Sequence, residues 1–211
     1  MNNRVHFMEL HHEREEISHL TNYNELYEFW EMAQALEPNN RYFEIGSRRG
    51  YSMWMMGHAV KGSPGEIIAI DYPGAHWGDD HSTPYLYKCA AALEDTGRRV
   101  HIIFGNSHDL DVQDIIEHRF GRLYHVDLYA DVIFLDGDHS YSGVLADFNY
   151  YVHKFLRPGG LVGFHDIVED KDPTIEVPAA WKKLQAQHPD WDATVIDHGV
   201  GLGIGVLRRP T

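Results

Sequence analysis

The chain has 211 residues, with 18 Lys and Arg against 32 Asp and Glu, for a formal net charge of −14. That length and an ordinary composition (43% hydrophobic, 24% charged) fit a globular domain, and the acidic balance argues against nucleic acid, whose phosphates need clustered Lys and Arg. No apolar run approaches the roughly 20 residues of a membrane span, the first residues lack a leader-like pattern, and a lone Cys89 excludes an internal disulfide, so a cytoplasmic setting without membrane is expected.

Residues 1–39 read as a helical cap: 8–36 fit one or two helices, with Leu26, Phe29, Trp30 and Ala33 at helical spacing. From residue 40 a different rhythm begins. RYFEI (41–45), EIIAID (66–71), VHIIF (100–104), DVIFLD (131–136) and GLVGF (160–164) are short, nearly continuous apolar runs, as expected of strands buried on both faces. Helical patterns separate them at about 50–61, 84–96, 109–118 and 140–156, and RPGG (157–160) is expected to stop the last helix and restart the chain as a strand. A helix over 178–187 follows, then ATVID (193–197) and GLGIGVLRR (201–209) with only a short turn between them. That spacing permits a hairpin but no helical crossover, so the last strand is expected to be antiparallel. The expected fold is α/β: a doubly wound, Rossmann-like seven-stranded sheet of five parallel strands plus a C-terminal hairpin, helices on both faces, over residues 40–211.

Three strand ends carry polar groups. The first strand runs into Glu44-Ile45-Gly46-Ser47-Arg48-Arg49-Gly50 and then a helix, a turn with Gly at both bends that lets backbone approach a ligand. Glu44 would repel a pyrophosphate but suits an ammonium group. The second strand ends at Asp71, placed to accept hydrogen bonds from ribose hydroxyls, and the third in Gly105-Asn106-Ser107, placed to meet an adenine edge. Together these residues resemble class I S-adenosylmethionine-dependent methyltransferases over roughly residues 40–209. The resemblance implies that Glu44, Gly46, Ser47 and Gly50 hold the methionine part, Asp71 the ribose, and Asn106 and Ser107 the adenine. Asn106 departs from the commoner Asp.

The fourth strand delivers Asp136-Gly137-Asp138-His139, and the fifth delivers His165-Asp166, toward one crevice. Clustered carboxylates and imidazoles signal a cation or a proton-transfer site. The segment D-G-D-H-S-Y … L-R-P-G-G … H-D resembles the metal-dependent O-methyltransferase branch containing macrolide sugar O-methyltransferases and cephalosporin hydroxylase-like proteins. That resemblance implies a divalent metal on Asp136, His165 and Asp166, Asp136 also facing the methyl donor, and His139 as general base. Magnesium is the expected ion, with manganese or iron admitted because His165 offers nitrogen. Asp138 is either a further oxygen donor or a turn former or cap for the next helix.

The expected reaction is methyl transfer to a hydroxyl of a sugar, polyketide-like or phenolic small molecule. Two alternatives stand beside it: an iron oxygenase using Asp136, His139 and His165, and a non-catalytic S-adenosylmethionine-binding protein. Residues 72–88, with His76, Trp77 and Tyr85, read as a substrate-facing wall. Arg48 and Arg49 read as a solvated helix start, with contact to an acidic substrate as the alternative, and MWMM (53–56) as core. Cys89 reads as a small buried residue, the scattered histidines as surface, and aromatics in the cap allow a homodimer without requiring one.

Overall fold

The computed structural model describes residues 3–17, 22–74, 81–118, 129–169, 171–199 and 201–211. Helices α1 (Asn3–His12) and α2 (Tyr23–Gln34) precede β1 (Arg41–Ile45). Strand and helix then alternate through α3 (Tyr51–Ala59), β2 (Glu66–Asp71), α4 (Ser82–Asp95), β3 (Arg99–Phe104), α5 (Leu110–Ile116) and β4 (Ala130–Leu135). After β4, α6 (Tyr141–Asp147) passes through a π-helical turn (Phe148–Val152) into α7 (His153–Phe155), so the single helix expected over 140–156 is interrupted. The chain finishes with β5 (Leu156–His165), α8 (Val177–Gln187), β6 (Asp192–Ile196) and β7 (Ile204–Arg208).

The seven strands form one sheet in the order β3-β2-β1-β4-β5-β7-β6. β1 to β5 pair in parallel, and β7 runs antiparallel to both β5 and β6, as the hairpin spacing predicted. Strand order reverses between β1 and β4, and the carboxyl ends of those two strands open the crevice where such sheets bind ligands.

β4 shows why the strands read as unbroken apolar runs. Val132 and Phe134 join Phe7, Leu26, Phe29, Trp30 and Ala33 of α1 and α2 in one core, while Ile133 and Leu135 join Phe148, Tyr151 and Val152 in the other. Period-2 alternation therefore places apolar side chains against helices on both faces. The ring of Phe29 lies 5.4 Å from that of Phe134, and a Cβ at Gly163 would come within 2.7 Å of Phe29, so this glycine makes room for α2.

Arg157-Pro158-Gly159-Gly160 departs from expectation. β5 begins before it, at Leu156, and the pairing with β4 jumps from Ala130↔Leu156 to Val132↔Leu161. The four residues form an irregularity within the strand: Gly159 takes φ +74°, and its N–H donates to Arg209 O at 2.9 Å. Among the described residues no helix is long and apolar enough to cross a membrane.

Candidate active site

The β1–α3 turn is built on positive φ angles: Gly46 at +92°, Arg48 at +43° and Gly50 at +83°. Asp136 N–H donates to Ile45 O at 2.9 Å, which locks the end of β1 to the end of β4. A Cβ on Gly46 would fall 2.0 Å from Asp136 O, so crowding between the two strand ends already demands glycine there. Gly50 meets α4, with Leu86 and Cys89 atoms 3.1–3.3 Å from where its Cβ would be. The two glycines thus set the packing of the turn as well as its reach toward a ligand.

A cavity of about 660 Å³ sits above these strand ends. Gly46, Asp71, Asn106 and Ser107 line it at the ends of β1, β2 and β3; Asp136, His139, His165 and Asp166 line it at the ends of β4 and β5. Asp71 accepts the Arg48 N–H at 2.8 Å, and Asn106 Oδ1 accepts the His108 N–H at 2.9 Å. The carbonyl of Ser107 accepts from the hydroxyl of Tyr151 at 2.7 Å, which holds the third strand end against the core.

Glu44, Ser47 and Gly50 are not among the lining residues. The Glu44 side chain is fully buried, accepting hydrogen bonds from the hydroxyls of Ser52 and, at 3.1 Å, Tyr42. Sequence reasoning placed Glu44 against an ammonium group, but the pleat of β1 turns it into the core beside α3 instead. Burial pushes its carboxyl up to about 8, against the opposing hydrogen bond from Ser52. Burial likewise raises Asp71, partly offset by the Arg48 N–H.

The acidic end is a compact cluster. His165 Nδ1 lies 3.2 Å from Asp136 Oδ1 and 2.8 Å from Asp166 Oδ1; His139 Nε2 lies 3.6 Å from Asp136 Oδ1, and its Nδ1 3.3 Å from Asp166 Oδ2. Asp166 takes φ +62°, a left-handed conformation costly for a non-glycine residue and typical of sites the surrounding fold over-determines. Burial by itself would raise the Asp136 carboxyl, yet the charges and hydrogen bonds of His165 and His139 hold it well below the usual range. Burial would lower both imidazoles, but the facing carboxylates, Asp136 foremost, raise His139 and push His165 well above its ordinary value.

Asp136, His165 and Asp166 each offer a ligand atom, all within 4.8 Å of one another. Asp166 Oδ1 is buried and lacks a well-aligned hydrogen bond, although His165 Nδ1 is near it. Two carboxylates, one imidazole and an acceptor with unmet demand fit a divalent cation. The converging set holds two carboxylates and one imidazole, not the two-imidazole set of the oxygenase alternative, because Asp166 and not His139 completes it.

Several site residues escaped the sequence. Arg48, read as solvated, lines the cavity, as do Thr174, Ile175 and Leu202. Asp138 also lines it, but its carboxylate accepts the Ser140 N–H at 2.9 Å and forms the turn before α6, whose cap is Ser140, with Oγ accepting the Gly143 N–H at 3.0 Å. Buried Asp147 lies 3.2 Å from His108 Nε2, a pairing no spacing rule reveals. Glu176 N–H donates to His139 O at 2.8 Å, tying the segment after β5 to the backbone of His139. Of the expected wall, Tyr72 lines the cavity, Tyr85 lies under the guanidinium of Arg49 at 5.6 Å, and His76 and Trp77 fall outside the described residues.

Residues 43–167, more than half of the chain, match the family described as a methyltransferase domain. The chain belongs to that family, which meets the expectation drawn from the strand ends and the D-G-D-H segment at the level of family and fold. Among solved structures, an O-methyltransferase from Bacillus cereus in complex with SAH superposes with a TM-score of 0.68 at 18% identity, covering 99% of this chain and 91% of that one. The O-methyltransferase TomG from Streptomyces achromogenes, in complex with SAM, superposes at 0.65 with 17% identity, covering 100% and 91%. Two curated relatives are uncharacterised: y4gI of Sinorhizobium fredii, 27% identical over 81% of this chain, and R132 of Acanthamoeba polyphaga mimivirus, 32% identical over 59%. The chain spans 18% and 50% of the lengths of those two relatives.

Proposed function

We propose that this protein transfers a methyl group from S-adenosylmethionine to a hydroxyl of a small molecule, a sugar, polyketide-like compound or phenol, with a divalent cation on Asp136, His165 and Asp166. The observation that carries the reading is the single cavity in which Asp71, Asn106 and Ser107 share walls with Asp136, His139, His165 and Asp166. One set suits a nucleoside and the other a hydroxyl that must lose its proton, and both belong at a strand-order switch. When bound, the cation would supply Lewis-acid stabilisation of the acceptor's developing negative charge; manganese and iron match the imidazole donor better than magnesium does.

The residues of the chain then account for the remaining chemistry. His139, flanked on its two ring nitrogens by Asp136 and Asp166, takes the hydroxyl proton as the oxygen–carbon bond forms and the carbon–sulfur bond breaks, leaving S-adenosylhomocysteine. The walls of the cavity hold the two reactants in line, and positioning of this kind is worth about 7–11 kcal/mol of barrier.

A melting experiment with S-adenosylhomocysteine, followed by a transfer assay on hydroxylated small molecules with and without a chelator, tests the proposal. Stabilisation by the nucleoside and chelator-sensitive methylation are expected. Stabilisation with chelator-insensitive transfer would remove the cation from the mechanism, and no response to the nucleoside would remove the methyl donor.

A further inference from the structure

Asp147, the last residue of α6, is buried, and its Oδ1 lies 3.2 Å from Nε2 of His108 without hydrogen-bond alignment, so charge holds the two together. With its other ring nitrogen, Nδ1, His108 faces Asp138 at 3.9 Å. His108 belongs to the loop after β3 that brings Asn106 and Ser107 into the cavity wall, and its own N–H donates to Asn106 Oδ1 at 2.9 Å. One helical turn beyond Asp147, Tyr151 reaches the same loop, its hydroxyl donating to Ser107 O at 2.7 Å. Neither His108 nor Asp147 is among the residues lining the cavity. The loop that carries Asn106 and Ser107 is thus fastened from behind by two side chains of one helical face, one of them through an ion pair.

We infer that His108 is a positioning residue: paired with Asp147, it fixes Asn106 and Ser107 in the cavity wall from outside the cavity, and so sets how tightly the site holds its nucleoside. The inference rests on the methyl-donor reading. A wall held in place beforehand need not be ordered on binding, and whatever loosens it weakens affinity. The direction with pH follows from the groups around the imidazole. Contact with Asp147 raises the His108 pKa above the ordinary 6.5 against the opposing effect of burial, and Asp138 adds to the rise. The charged pair is therefore complete at low pH and is lost as pH rises through that titration. Among the described residues, Asp147 and Asp138 are the acids that face His108; Tyr151, against the same loop, keeps its proton throughout because burial raises its hydroxyl.

The test is calorimetric titration of S-adenosylhomocysteine into the parent, His108→Gln, Asp147→Asn and the double variant at a series of pH values. His108 is partly exposed and Asn matches Asp in shape, so the single variants keep the fold. The active-site histidines are common to all four proteins, and differences between the profiles belong to the pair. The parent is expected to lose about 5- to 10-fold in affinity as pH rises through the His108 titration. Each single variant should be weakened by a similar factor at low pH and lack that fall, and the double variant should be no weaker than either. Parallel profiles for the parent and His108→Gln, or losses that add in the double variant, would overturn the positioning role. They would do so even if the variants melt lower, because a purely structural pair moves the melting temperature and leaves the difference between profiles flat. A parent that binds no S-adenosylhomocysteine at any pH would remove the methyl-donor reading and this inference with it.

Discussion

Asp131, at the amino end of β4, is buried, and Asp136, just beyond its carboxyl end, is half-buried; the two are built for opposite purposes. At the amino end, Asp131 accepts N–H groups from Asn40 and Arg41 at 2.8 and 2.9 Å and pairs with the guanidinium of Arg157, which also donates to Pro38 O at 2.6 Å. Its oxygens are spent on donors that close the bottom of the sheet. At the carboxyl end, Asp136 faces two imidazoles and a second carboxylate across a cavity, beside a residue in left-handed backbone. Burial of an acid is therefore no mark of function. Whether its lone pairs are already committed to backbone and arginine is what separates structural from chemical.

The contrast is sharpened by substitutions on each side. His139→Gln should lower transfer about 10²- to 10⁴-fold while leaving nucleoside affinity within experimental error, as measured by steady-state kinetics alongside titration. In the parent, the same base must be unprotonated to act, and its carboxylate neighbours raise its pKa. The rate should therefore climb with pH through that imidazole's titration and level off beyond it, and in cation-free protein the midpoint, read by NMR, should lie above the ordinary histidine value. Asp131→Ala leaves Arg157 and two backbone N–H groups without their acceptor. It should cost about 3–5 kcal/mol in denaturant unfolding, with the activity per folded molecule preserved. Lost activity in a fully folded Asp131→Ala protein would break the distinction between the two ends.

A further buried acid, Glu44, keeps its lone pairs on the hydroxyls of Ser52 and Tyr42. The folded state holds its proton up to about pH 8, whereas the unfolded chain releases it near the ordinary value of 4.5. Native stability should consequently fall as pH rises between those limits, by up to about 1.4 kcal/mol per unit. Glu44→Gln should flatten that slope in unfolding curves taken at several pH values; an unchanged slope would place the titration elsewhere.

Much of this arrangement was legible in residue order. Apolar runs such as DVIFLD read directly as doubly buried strands, and the brief gap before GLGIGVLRR dictated an antiparallel hairpin, because local period and loop length govern both. What escaped depended on pairs brought together from afar. Gly46 is constrained by the carbonyl of Asp136, ninety positions along the chain, so the turn alone could not show that crowding. Glu44 looked like a ligand because it precedes the turn, yet strand alternation sends it inward. Arg48 looked solvated because its neighbours in sequence are polar; its place in the cavity wall follows from the turn that the fold sets above the strand ends. RPGG carried the correct signal for a break but could not say that β5 already pairs with β4 before the break.

The central claim, that the carboxyl end of β4 holds a cation beside the nucleoside, is tested most directly by titrating manganese into protein saturated with S-adenosylhomocysteine. The parent should bind one equivalent, and Asp136→Asn, folded and still loaded with nucleoside, should bind none. Equal uptake by the two proteins, or no uptake by the parent, would contradict the account.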